Sequence, residues 1–122
     1  LSAIAARHPV PVTVEVPDPA ALSAASPGAQ AAAYFVTAEA LTNSARHSGA
    51  TRVHVVAGIG LGASGAVLRL EVVDDGRGGA TASPGGGLDG LRSRVEALDG
   101  TFRLDSPAGR GTRIMVEVPC AS

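Results

Sequence analysis

Three groups of residues have types and spacings suited to chemistry. Asp74-x-Gly76-x-Gly78 lies in LRLEVVDDGRGG (68–79), where an apolar strand runs into two adjacent carboxylates and a glycine-spaced loop. A carboxylate at a rigid strand end can accept a hydrogen bond from an exocyclic amine such as that of adenine. The glycines would let a base lie close to backbone. Glu39, Asn43, Arg46 and His47 fall at i, i+4, i+7 and i+8 of a helical segment and so share one face. A carboxylate, the chain's only Asn amide and two cationic or titratable groups suit a magnesium–phosphate assembly. Oxygen ligands suit Mg2+, and Arg suits phosphate oxygens. Gly85-Gly86-Gly87 opens directly into a second helix, whose free N–H groups and positive dipole end favour phosphate. Taken singly, each group also has a plainer reading: a solvated helix face, an Asp-Asp-Gly turn, a flexible linker.

The elements that must position these residues follow from periodicity. Alternation and β-branched content predict strands over Val10–Val16, Arg52–Ile59, Ala66–Asp74, Thr101–Asp105 and Thr112–Val118. Residues Pro17–Gly28 read as a loop with one short helical turn. A long helix is expected over Gln30–Ser48, with apolar positions at Tyr34, Ala38, Leu41 and Ala45 and a stop at Gly49. A second amphipathic helix is expected over Leu88–Leu98, stopped at Gly100, with Gly76–Gly87 as a loop before it. The order β, α, β, β, loop, α, β, β has few helices and strands in hairpins. It predicts an α+β two-layer sandwich, with helices on one face of a mixed, mostly antiparallel sheet. Gly60-Leu-Gly-Ala-Ser-Gly65 matches a dinucleotide fingerprint, but a strand and not a helix follows it, so it reads as a hairpin turn.

Composition narrows the function. The 122 residues are 45% apolar with only three aromatics, so the core must be built from Ala, Val, Leu and Ile. They read as a single domain. The net charge of −1 provides no basic field for nucleic acid. All ten basic residues are Arg, which excludes a Walker-type phosphate loop, a Schiff-base lysine and a protein-kinase-type strand lysine. The lone Cys120 fits a reducing compartment, and the scattered His and Cys make no zinc site by spacing. No apolar run could span a bilayer and no signal peptide is visible. The chain starts without Met inside an apparent helix, LSAIAAR, so it reads as a fragment of a longer protein. Residues 1–9 would end a preceding connector or helix. His8 and His54 read as connector and strand histidines. Arg92 and Arg94 could reach phosphates, although a solvated helix face is the simpler reading.

In order along the chain, four motifs resemble those of the histidine-kinase ATPase superfamily shared with gyrase, the Hsp90 chaperones and MutL. AEALTNSARHSGA is similar to its N box and VVDDGRGG to its first glycine box. GGGLDGLRSRVEALDG resembles the second glycine box, and GRGTRIMVEVP the closing glycine–threonine segment. The resemblance spans Val10 to Pro119. EALTN…RH followed by GL-x-GLR-x-RV is most similar to sensor kinases whose response regulators carry helix-turn-helix output domains.

The resemblance implies the Bergerat-type fold, with ATP held between the long helix and a lid at residues 76–87. It implies that Asn43 ligates Mg2+ and that Glu39 orients or activates a group near the γ-phosphate. Asp74 would bind the adenine amine, supported through water by Thr112, with Gly76 and Gly78 flanking the base. Gly85, Gly87 and Leu88 would form the phosphate-side end of the lid, with Arg46 and His47 near the phosphates. Arg46 stands where the family often has Lys, and Gly86 where many relatives have His. No histidine lies in a phosphoacceptor-type motif. The implied activity is therefore γ-phosphoryl transfer to a histidine on dimerisation helices absent from this chain, with a response regulator downstream. A monomer is expected for the isolated domain, in the cytoplasm and without membrane contact of its own, whether or not the parent is anchored. The alternative is an anti-sigma-factor-type Ser/Thr kinase and protein-binding regulator using the same ATP site.

Overall fold

Side caps and prolines set where the helices begin. Asp18 accepts a hydrogen bond from the Ala21 N–H (3.2 Å) and starts α1 (Pro19–Ser23). Ser26 accepts from the Ala29 N–H (3.2 Å) and starts α2 (Pro27–Asn43), with Pro27 pre-set in its first turn. The long helix thus begins three residues before the periodicity alone suggests. The computed structural model describes residues 6, 10–45, 49–62, 65–80 and 86–120. The remaining elements are β1 (Val12–Glu15), β2 (Val53–Gly62), β3 (Gly65–Asp74), α3 (Gly87–Ala97), β4 (Thr101–Asp105) and β5 (Thr112–Pro119).

The five strands form one sheet in the order β1-β2-β3-β5-β4. β1 runs parallel to β2, since the crossover through α1 and α2 separates them, and the other pairs are antiparallel. Alternation then sorts the side chains. Val53, Val55, Leu68, Leu70, Val72, Ile114, Val116 and Val118 face the helices and are buried. His54, Arg69, Glu71, Arg103 and Glu117 lie on the opposite face, where Arg69 Nε donates to Glu117 Oε2 (2.7 Å). Fully burying a side chain such as Leu68 stabilises the fold by ~1.5–3 kcal/mol relative to exposing it. This is the expected α+β two-layer sandwich, with its core between sheet and helices.

Two local expectations are corrected. The buried face of α2 is Ala29, Ala32, Ala33, Val36, Thr37, Ala40 and Leu41, whereas Tyr34 is 53% exposed and Ala45 is exposed. An Ala-rich helix has almost no contrast between its faces, so its apolar period does not mark the buried one. Small residues there let α2 lie close to the sheet and to α3. Thr37 is fully buried but satisfied, because its hydroxyl donates to the Ala33 carbonyl (2.8 Å). The end of α3 is set by Asp99, at φ 59°, and not by Gly100. The Asp99 N–H donates to Glu96 O and the Gly100 N–H to Val95 O, a Schellman closure. Gly100 is needed for space, since a Cβ there would lie 2.5 Å from the Glu117 carbonyl oxygen. The fingerprint-like glycines at 60–65 fall in the β2–β3 hairpin as expected, with Gly62 and Gly65 paired at its tip.

Candidate nucleotide site

The end of the sheet where β3 stops and β5 starts gathers the acidic and glycine residues. On β3, Leu68, Leu70, Val72 and Asp74 all point to the helix side, so strand alternation alone carries the Asp74 carboxylate inward. Asp74 is 7% exposed and pairs across the ladder with Thr112, itself 4% exposed. Directly opposed residues on one face sit within side-chain reach, so these two groups form a single polar spot at the rim of the core. Asp74 Oδ1 accepts the Gly76 N–H (2.9 Å), closing a turn that fixes the carboxylate. Oδ2 makes no hydrogen bond among the described residues.

Asp75 does something else. Its carboxylate accepts the Thr51 N–H (2.7 Å), the Arg52 N–H (3.0 Å) and the Thr51 hydroxyl. The Thr51 hydroxyl, then the Arg52 and Thr51 backbone N–H groups, lower its pKa from 3.8 to about 2. Asp75 therefore ties the end of β3 to the start of β2 and is not turned to the site.

The loop after Asp75 is held from below by the β4–β5 connection. Gly79 N–H donates to Ser106 O (2.8 Å), and Gly109 N–H to Arg77 O (2.6 Å). Gly78 has φ +67°, and a Cβ on it would lie 2.0 Å from the Pro107 carbonyl oxygen. Its missing side chain thus serves loop-on-loop packing as well as any flat ligand. Gly111, at φ +78°, lets the Asp74 backbone approach: a Cβ there would sit 2.2 Å from Asp74 O. Ser106 Oγ lies 2.7 Å from Thr112 Oγ1 and accepts the Ala80 N–H (3.0 Å). It is a site neighbour that the sequence reading passed over as part of a glycine-containing turn.

The helices complete the arrangement. Glu39 and Asn43, one turn apart, are both half-buried near the C-terminal end of α2. Glu39 reaches the first turn of α3, where a Cβ on Gly87 would meet its Oε2 at 2.6 Å. Gly87 therefore leaves the space that Glu39 occupies. No side chain caps α3, whose N-cap is Gly86. Leu88 is 5% exposed and packs in the core, so any ligand contact it makes must be through backbone. Arg46, His47 and Gly85, and the lid residues between 81 and 85, lie outside the described residues.

Other candidates are drawn elsewhere. The Arg94 guanidinium stacks over Phe35 (4.5 Å) and that of Arg92 over Phe102 (5.4 Å). His54 Nε2 lies 3.8 Å from Glu15 Oε1. A groove of about 690 Å³ on the outer sheet face, lined by Gly58, Arg69, Glu71 and Arg103 among others, includes none of the expected site residues. Among the described residues, no three His, Cys, Asp or Glu cluster as a metal cage, and no helix is long and apolar enough to cross a membrane.

Known proteins resemble this chain in sequence and in fold. The sensor histidine kinase LiaS of Bacillus subtilis (strain 168) is 31% identical over 116 residues, covering 93% of this chain and 30% of LiaS. The signal transduction histidine-protein kinase/phosphatase DegS of the same organism is 30% identical over 100 residues, covering 77% of this chain and 25% of DegS. The chain thus spans less than a third of either relative. The histidine kinase domain of the Erythrobacter litoralis EL346 blue-light activated histidine kinase superposes with a TM-score of 0.64 at 23% identity, over 98% of this chain and 57% of that one. The histidine kinase AdeS of Acinetobacter baumannii superposes with a TM-score of 0.65 at 14% identity, over 99% and 59%. At those identities the structural likeness is one of fold. The family described as histidine kinase-, DNA gyrase B- and HSP90-like ATPase matches residues 28–122, and the chain belongs to it.

Proposed function

We propose that this chain is the catalytic domain of a two-component sensor histidine kinase. It binds Mg2+–ATP and presents the γ-phosphate to a histidine on the parent protein's dimerisation helices. The observations that carry this reading are two polar centres: Asp74 paired with Thr112 where β3 ends, and Glu39 set against Gly87 at the start of α3. The first suits a base and the second suits phosphates.

Asp74 would accept the adenine amine through Oδ2, with its Oδ1 already fixed by Gly76. Gly76 and Gly78 would face the base. The uncapped N–H groups of α3, at Gly87 and Leu88, and those of Gly85 would meet phosphate oxygens. Arg46 and His47, seven and eight residues after Glu39 in the sequence, would neutralise phosphate charge. Asn43 and Glu39 provide two oxygen donors one turn apart, and the described residues offer no larger cage. That donor set fits Mg2+, which keeps several waters and takes its other ligands from phosphate. When bound, the ion would neutralise charge on the transferring phosphoryl group. Glu39 would orient or deprotonate the attacking group, and most of the rate would come from positioning.

The kinase names borne by LiaS and DegS support this reading over an anti-sigma-type Ser/Thr kinase. Residues 76–87 would then act as the ATP lid. We place the domain in the cytoplasm as a monomer, joined in the parent to dimerisation helices and serving a response regulator. Incubating it with separately expressed dimerisation helices of the parent, Mg2+ and γ-labelled ATP tests the activity. Label should appear on a histidine of the helices; label on Ser or Thr, or none, would overturn the assignment.

A further inference from the structure

We propose that Asp75 is a positioning residue for the phosphate end of the site: it fixes the connection between α2 and β2, and with it the residues that would meet the phosphates. The proposal rests on the nucleotide reading above and deepens it.

Residues 44–52 join the end of α2 to the start of β2. They follow directly on Asn43 and include Arg46 and His47. A surface connection shifts readily unless groups outside it hold it. Here two side chains from the loop after β3 do so. The Asp75 carboxylate accepts the Thr51 N–H (2.7 Å), the Arg52 N–H (3.0 Å) and the Thr51 hydroxyl. The Arg77 guanidinium lies against Gly49, where a Cβ would be 3.4 Å from Nη2. Both grips fall just after His47 in the sequence.

The adjacent carboxylates thus divide the work. Asp74 turns toward the helices and is held by the Gly76 N–H and by its place opposite Thr112 in the ladder. Neither of those depends on the partners of Asp75. Asp75 turns the other way and holds the connection that leads back to Asn43. One pair of neighbouring residues therefore sets both the base contact and the place from which the phosphate contacts extend. Asp75 touches no nucleotide itself. Its loss should leave the base contact in place and let the phosphate contacts drift.

The test compares binding of adenosine and of Mg2+–ATP to the wild type, Asp75→Ala and Asp75→Asn, titrated by protein NMR. Adenosine reports the base end alone, and the excess affinity of ATP reports the phosphate end. In Asp75→Ala the adenosine affinity should hold, while the ATP-over-adenosine preference falls about tenfold, the loss expected for one hydrogen bond to a charged group. Asp75→Asn should restore the preference, because its amide oxygen can accept the two N–H groups and its NH2 can donate to the Thr51 hydroxyl. A merely structural role would weaken both ligands together or leave both unchanged, and either result overturns the proposal. If Asp75→Ala does not fold, Asp75→Glu keeps the charge but displaces the grip by one methylene; it should lower the preference too, and an unchanged preference overturns the proposal. A wild type that binds neither ligand overturns the nucleotide reading and the proposal with it. A wild type that prefers ATP, with Asp75→Ala preferring it equally, removes only the role of Asp75.

Discussion

Gly109 and Gly111 offer a controlled test of how the site is built. Both lie in the β4–β5 connection, at φ +79° and +78°, so an alanine at either position suffers the same left-handed backbone penalty. That penalty is roughly 1–2 kcal/mol. Their surroundings differ. A Cβ on Gly109 meets nothing within 4 Å, whereas one on Gly111 lies 2.2 Å from Asp74 O and 3.3 Å from the Asp75 Cα. Neither neighbour is a flexible side-chain end, so the backbone of β3 must shift by about 1 Å to restore van der Waals separation. Forcing such a shift in a packed region costs about 1–3 kcal/mol more. Urea denaturation should therefore show Gly109→Ala losing roughly 1–2 kcal/mol and Gly111→Ala roughly 2–5 kcal/mol. Because the shift displaces Asp74, Gly111→Ala should also weaken ATP binding, while Gly109→Ala should not. Equal destabilisation by the two substitutions would refute the argument that Gly111 exists to let Asp74 approach β5.

Further outcomes follow from the same geometry. Asp75 has a folded-state pKa lowered from 3.8 to about 2, so its contribution is complete above the unfolded value and is lost as pH falls between those two values. Wild-type stability should fall more steeply than that of Asp75→Asn across this window; parallel curves would mean that Thr51 and Arg52 do not hold an ionised carboxylate. Gly87→Ala should fold at least as well as the wild type, since Ala is favoured over Gly in helices by up to ~1 kcal/mol. Yet its Cβ displaces the Glu39 carboxylate, and a 1 Å misplacement of a catalytic group can cost on the order of 100-fold. Phosphoryl transfer by the parent kinase carrying Gly87→Ala should therefore drop sharply while its melting temperature holds; an unchanged rate would remove Glu39 from the chemistry.

The strands were readable because β-branched alternation marks both their extent and their faces. The hairpin at 60–65 was readable because a strand and not a helix follows it. The buried face of α2 was not, because Ala on every side leaves no stripe to detect. The stop at Asp99 was missed because sequence signals favour Gly in a left-handed position, and the neighbouring Gly100 answers a packing demand from β5 instead. The sequence could separate the two adjacent carboxylates only through the family resemblance. Their physical separation depends on Thr51 and Arg52, more than twenty residues away, which no local pattern announces. Ser106 escaped notice for the same reason, since its partners Ala80 and Thr112 meet only in the folded chain.

The central claim is that Asp74 reads an adenine amine. Calorimetric titration of wild type and Asp74→Asn with ATP and Mg2+ tests it most directly. In Asp74→Asn the side-chain oxygen stays on the Gly76 N–H, which turns the amide NH2 toward the base and sets donor against donor. Losing a hydrogen bond to a charged group costs ~1.5–3 kcal/mol, so affinity should fall at least about tenfold. Saturable binding by the wild type with that loss in a folded Asp74→Asn protein is the predicted result. Equal affinities, or no saturable binding by the wild type at millimolar ATP, would contradict the account.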